Sequence, residues 1–295
     1  MQIGIFLPTF GAGHRPDFLR ALAETAEQVG AACLWAPEHV VLTETYESRY
    51  PYSDDGRFPL DPSEGGLGDP FTVLSYLAAI TKTIRLGTGI CLVPQRNPVY
   101  TAKAVAQLDV LSHGRVDFGV GIGWLREEFE AVAAPFERRA QRTRAYLELM
   151  RRLWTEDKVS YESEFYTLRN AHMAPKPVQR PHPPIIFGGE SDAALRRVAD
   201  IGQGWFGWNI APEQAAERVA ALDRLLTARG RRREELSLIA SPYTLPDRNL
   251  DATKRYRDAG IGQVVLLLPI SENPDQVRAA VEWLGDNIIV PAARL

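Results

Sequence analysis

DPFTVLSYLAAITKTIRLGTGICLVPQRNPVYTAKAVAQLDVLSHGRVDFGVGIGW, residues 69–124, is the stretch whose reading decides the fold. It predicts two β runs, 84–93 and 116–121, each preceded by a helix. Both helices open on a capping side chain followed by proline: Asp69-Pro70 and Asn97-Pro98. The cap's oxygen accepts an orphan backbone N–H, and proline stands where no N–H is needed. On the second helix Tyr100, Ala104, Leu108 and Leu111 recur three or four apart, so one face is apolar. Helix, strand, helix, strand with short connections requires parallel strands joined by crossovers.

The same alternation extends in both directions. Upstream, strands are expected at 2–7 and 32–36, separated by a helix over 16–29 that Gly30 stops. Downstream, strands are expected at 185–187, 205–208, 236–240 and 264–268, with helices between them. Asn273-Pro274 repeats the cap-proline signature before the last helix. Eight strands, each followed by a helix, predict an α/β fold, a (β/α)8 barrel spanning residues 1–295 as one domain. Two segments exceed plain connectors: 41–68 after strand two, rich in Tyr, Asp, Pro and Gly, and 158–184 before strand five, read as irregular. The arginines between 138 and 152 are expected on a solvated helix face.

Composition narrows the function. With 295 residues, 45% hydrophobic and 24% charged, the chain has ordinary globular composition. A formal net charge of −3 gives no electrostatic case for nucleic acid. No apolar run approaches the roughly 20 residues that span a membrane, and the N-terminus MQIGIFLPTF lacks the basic region of a signal peptide. Cys33 and Cys91, the only cysteines, both fall in expected buried strands. That usage suggests a reducing, cytoplasmic setting rather than a disulfide framework.

In such barrels chemistry sits where strands end at their C-termini. The residues expected there are Glu38 and His39 after strand two, Gly121–Trp124 after strand four, Gly188–Ser191 after strand five and Asn209 after strand six. His39 suits general acid/base work or stabilisation of an anionic ring. His14 lies in a loop on the same side. His113 falls on the opposite, stabilising face, and His172 and His182 have no assignable orientation. Gly188-Gly189-Glu190-Ser191 reads equally as an anion-binding turn at a helix N-terminus or as a tight turn capped by Ser191; Glu190 opposes an anion unless it points away. Gly119-Val-Gly121-Ile-Gly123 lacks Rossmann spacing, and no Walker A, G-x-S-x-G, HExxH or paired-Cys pattern occurs. No metal site is expected, so a metal-dependent barrel hydrolase is the weakest of the possible readings.

Residues 84–124, then EEFEAVAAPFERRAQRT (127–143) and APKPVQRPHPPIIFGGESDAALRRVADIGQGWF (174–206), resemble the luciferase-like monooxygenase superfamily. The closer resemblance is to its branch of coenzyme F420-dependent oxidoreductases, which the insertion YPYSDDGRFPL (50–60) shares. It covers about residues 1–210. The resemblance implies a TIM barrel and a deazaflavin that carries hydride at C5 and moves it to or from a small-molecule substrate. It implies that Glu38 and His39 stand near the ring, with Glu38 orienting His39. Gly89-Ile90 would be a bulge, often a non-proline cis peptide, backing the ring. Gly121, Gly123 and Trp124 would lie near ring and tail, and Gly188, Gly189 and Ser191 would bind the phosphate. Relatives commonly carry His or Asn where this chain has Glu190. The resemblance also implies a homodimer packed through the helices before strands three and four. Two alternatives stay open: an FMN-dependent two-component monooxygenase, and a barrel that binds flavin or deazaflavin without catalysis. Tyrosines of the insertion and Arg57 are candidates for polar substrate contacts or for pinning the loop.

Overall fold

A computed structural model describes residues 1–64, 66–246, 248–268 and 271–295. Eight parallel strands close a ring: β1 Gln2–Phe6, β2 Cys33–Ala36, β3 Arg85–Thr88, β4 Val116–Gly121, β5 Ile185–Gly188, β6 Gly204–Trp208, β7 Ser237–Ser241 and β8 Gln263–Leu267. Closure comes from β1 pairing with β8 (Gln2 opposite Gln263) and β3 pairing with β4 (Leu86 opposite Val116). Helices α1 (Pro16–Gln28), α2 (Pro70–Ile80), α3 (Pro98–Leu111), α4 (Arg126–Ala131), α5 (Arg139–Thr155), α6 (Asp192–Ile201), α7 (Pro212–Thr227), α8 (Leu250–Asp258) and α9 (Pro274–Leu284) connect them. This is the (β/α)8 TIM barrel expected from the strand count.

Both cap-proline signatures act as read. Asp69 accepts from Thr72 N–H at 2.8 Å, and Asn97 accepts from the N–H groups of Val99 and Tyr100. The apolar face read on α3 is not its buried one. Tyr100 is 81% and Leu111 51% exposed, while Thr101, Ala102, Val105, Ala106, Leu108 and Asp109 are buried. Small side chains let α3 pack closely against its neighbours. Asp109 is tolerated inside because it accepts from Val178 N, Gln179 N and Gln179 Nε2. Apolar periodicity alone picked the wrong stripe, because a satisfied polar residue can occupy the core one.

The run expected at 84–93 is also broken. After β3 the Gly89–Ile90 peptide is cis, and the chain resumes as Cys91–Leu92 against Val120–Gly121. Between the two pairings the register slips by one residue. The segment 158–184 contains an antiparallel hairpin, Val159–Glu162 with Thr167–Ala171, where no regular structure was expected. The arginine face of α5 is corrected too: Arg142 is buried and bonds the carbonyls of Pro94, Pro135 and Glu137.

One core lies between strands and helices. A smaller one fills the barrel's interior with Phe6, Cys33, Trp35, Ile186, Phe206, Ile239 and Val265. Trp35 Nε1 donates to Gln263 Oε1 at 2.8 Å, so its polar edge is satisfied. Both cysteines are free and buried, and burial pushes their thiols up. Among the described residues no helix is long and apolar enough to cross a membrane.

Candidate active site

At the C-terminal end of the barrel a cavity of about 520 Å³ opens beneath the insertion. Glu38, His39, Gly89, Ile90, Gly121, Gly123, Trp124, Gly188, Gly189 and Ser191 all line it, whereas Asn209, also expected at a strand end, does not. His14 ends a short exposed 3-10 turn and is not among the lining residues. His113 sits at a positive φ of 56° between α3 and β4, on the opposite end. His172 is exposed, whereas His182 is buried against Trp154 with Nδ1 on the Pro183 carbonyl.

The orienting role assigned to Glu38 is corrected. Its carboxylate accepts from Leu92 N–H at 2.5 Å and pairs with Arg96, which also reaches Asp69 and lies over the Phe71 ring. Glu38 therefore ties the end of β2 to the chain beyond the cis peptide. His39 Nδ1 instead lies 3.0 Å from Glu128 Oε2. Glu128, fully buried on α4, also accepts from Val40 N at 2.6 Å and from Gln95 Nε2 at 3.0 Å. The His39 ring is held edge-on between Phe58 (4.9 Å) and Trp124 (5.9 Å), and its Nε2 makes no hydrogen bond among the described residues. Sequence reasoning missed Glu128. Its signal was an acid inside an apolar stripe, since Leu125, Glu128, Phe129 and Val132 are spaced as one helix face.

Gly121 of GVGIG and Gly188 make room for the Ile90 side chain. A Cβ on Gly121 would fall 2.0 Å from Ile90 Cδ1, and one on Gly188 3.0 Å from it. Ile90 thus projects into a crevice that only glycine leaves open. At the other end of the cavity Ser191 Oγ accepts from Ala194 N and caps α6. Gly189 has φ +106°, a conformation that L side chains rarely adopt.

Two arginines, also missed, line this end. Arg139 Nε donates to the Gly123 carbonyl, and its guanidinium shares the Phe136 ring with Arg126 (3.9 and 4.3 Å). Arg197 Nε is buried with no hydrogen-bond partner among the described residues. Burial, and then the charges of Arg139 and Arg196, push Arg197 below its ordinary pKa. A half-buried guanidinium whose Nε lacks a partner among the described residues suits an anion. Its clue was position: Ala194, Arg197, Val198 and Ile201 share one helix face.

Glu190 points away from that end. Its Oε1 accepts from Trp208 N at 2.6 Å, and the Tyr52 hydroxyl donates to the carboxylate. Burial nonetheless pushes its carboxyl above the ordinary value, and Tyr50 and Tyr52 are pushed up for the same reason. Both tyrosines pin the insertion to β6: Trp208 Nε1 donates to Tyr50 Oη, and Asn209 Nδ2 to the Tyr52 carbonyl. Glu127 holds it elsewhere, accepting from Glu47 N, Ser48 N and Ser48 Oγ. Arg57 lies over Tyr46 and is absent from the cavity wall, so it braces the loop. Among the described residues no group of three or more His, Cys, Asp or Glu could hold a metal ion.

A closed (β/α)8 barrel with an arginine-lined, glycine-walled cavity at its strand ends defines the class. The chain belongs to the luciferase-like monooxygenase family, whose model matches residues 1–287. It is 32% identical over 288 residues to an uncharacterized protein of Mycobacterium tuberculosis strain H37Rv, covering 97% of this chain and 98% of that one. It is 33% identical over 138 residues to the FMNH2-dependent dimethylsulfone monooxygenase of Pseudomonas putida, 46% of this chain and 38% of that protein. The fold matches the coenzyme F420-dependent tetrahydromethanopterin reductase of Methanopyrus kandleri with a TM-score of 0.76 over 98% of each chain, at 19% identity.

Proposed function

We propose that this chain is an F420-dependent oxidoreductase that moves a hydride between the deazaflavin C5 and a small organic substrate held under the insertion. The observation that carries the reading is His39, anchored through Nδ1 and free at Nε2, in the same largely apolar cavity as Gly89-Ile90. Bound there, the deazaflavin would supply the hydride-carrying carbon. The chain supplies the rest. Arg139, Arg197 and the Gly188–Ser191 turn would hold the phosphate, and the orphaned Arg197 Nε fits that demand. His39 gives or takes the proton that accompanies hydride transfer. The pinned insertion would cover the bound substrate. A second reading, an FMN-dependent two-component monooxygenase, is supported by the Pseudomonas putida relative. We also propose a homodimer through the outer face of α3, where Tyr100 and Leu111 lie exposed eleven residues apart, three turns along one side.

The test is a titration of protein made in a host that lacks the deazaflavin, followed by fluorescence quenching. Micromolar or tighter binding of oxidised F420 with weaker FMN is expected. The reverse order moves the chain to the flavin monooxygenases, and binding of neither overturns both. Arg197→Met should weaken the phosphate-bearing cofactor about 10–100-fold, the worth of one charge-assisted hydrogen bond, while riboflavin binding stays unchanged.

A further inference from the structure

We propose that Glu128 is the positioning residue of this site: it locks His39 in the tautomer with the proton on Nδ1, so that Nε2 faces the cavity as a proton acceptor. The argument is one of donors and acceptors. Two partners donate to Glu128, the Val40 backbone N–H at 2.6 Å, which can do nothing else, and the Gln95 amide NH2 at 3.0 Å. Gln95 keeps that orientation although its own Oε1 is buried without a partner. Both Glu128 oxygens accept from these donors, which favours the ionised carboxylate, and against a carboxylate the third contact, Nδ1 at 3.0 Å, is a donor. A neutral imidazole has one donor and one acceptor nitrogen, so Nε2 is left with its lone pair. When Nε2 takes a proton, the Glu128 carboxylate already faces the new positive charge.

The surroundings leave this job to Glu128. The rings packed on His39, Phe58 and Trp124, do not titrate, and Glu38 next to it in the chain is spent on Leu92 N–H and Arg96. Glu128 is also coupled to the roof. Its chain neighbour Glu127 grips Glu47 and Ser48 of the insertion, so one turn of α4 sets both the histidine and the chamber's cover.

The tautomer does not depend on which cofactor binds; only its role in turnover rests on the function proposed above. The test is therefore long-range 15N NMR of the five imidazoles in the full chain labelled on histidine, with His39 assigned by its loss in His39→Asn. A protonated Nδ1 and an unprotonated Nε2 near neutral pH are expected. A proton on Nε2 overturns the proposal. In Glu128→Gln the side-chain oxygen keeps Val40 N–H and the new NH2 faces Nδ1, so the two 15N signals should exchange identities; unchanged signals overturn the proposal. Glu128→Asp, which keeps a carboxylate, should restore the original pattern, and it serves if the glutamine variant does not fold. With the cofactor that the titration identifies, Glu128→Gln should lower kcat about 100-fold or more in the direction where His39 takes the proton. The acid limb of its pH profile should move to lower pH while cofactor Kd stays within about threefold. A loss of cofactor affinity equal to the loss in kcat would reduce Glu128 to a structural group.

Discussion

The barrel has a cavity at each end, and the two are nearly equal in size, about 520 Å³ at the C-terminal end and 490 Å³ at the N-terminal end. Their polar groups differ in how they are spent. At the N-terminal end Arg85 grips Asp117 through Nε at 2.8 Å and Nη2 at 2.5 Å and also bonds the Val116 carbonyl, while Gln263 accepts from Trp35. At the C-terminal end Arg197 Nε and His39 Nε2 have no partner among the described residues, and Glu190 is half-buried there with no ion pair among them. Polar groups that satisfy each other hold the barrel shut. Groups left unpaired cost stability and are available to a ligand. Volume alone would not separate the two ends; the hydrogen-bond ledger does.

Two substitutions should break that contrast from opposite sides. His39→Ala, at the C-terminal end, has the largest expected effect: turnover about 10²–10⁴-fold slower, as for loss of a general acid/base, with cofactor Kd changed less than about threefold. Steady-state kinetics beside a fluorescence titration decides it. Equal loss of both, or of neither, removes His39 from the chemistry. Asp117→Ala, at the other end, should leave kcat and cofactor Kd within about twofold but lower unfolding free energy by about 1–3 kcal/mol in urea melts. The figure sits below that for a fully buried pair because the Arg85 side chain is 38% exposed. A kinetic defect there would show that the two ends are coupled.

The sequence discloses the two ends unequally. Strand order, both insertions and the cap-proline helix starts were legible, because period and capping are local properties of the chain. So were the residues that follow each strand, since barrel geometry puts them on one face. What escaped were partnerships across long separations. Adjacency suggested that Glu38 serves His39, yet the partner is Glu128, 89 residues along the chain. Arg139 and Arg142 read as surface because charge normally marks a solvated face. Arg142 instead shares a helix face with Tyr146, Leu149 and Leu153, and Arg197 with Ala194, Val198 and Ile201; that misfit was the available clue. The α3 face failed for the mirror reason: Tyr100 and Leu111 are apolar but outward, and Asp109 is charged but inward. Neither can be ranked without knowing what lies opposite.

The smallest effect sharpens the contrast, because it tests whether the unpaired end costs stability even with nothing bound. Burial holds the Glu190 carboxyl above the ordinary value of a glutamate, against the Trp208 N–H and Tyr52 hydroxyl that favour its charged form. Near and just above that ordinary value the folded chain therefore keeps a proton that the unfolded chain has released. Stability contributed by this group falls as pH rises through the window between the two values, and above the window the full cost of the buried charge is present. Glu190→Gln removes that cost. The amide oxygen can still accept from Trp208 N, and its NH2 can donate to the Tyr52 oxygen. Variant and wild type should melt together below the ordinary glutamate value. Their difference should then open with rising pH to about 1–2 °C in favour of the variant near neutrality. A difference that stays flat with pH, or that favours the wild type at neutral pH, would mean that the ionised carboxylate is fully compensated by its two donors. Glu190 would then belong with the satisfied groups of the opposite end.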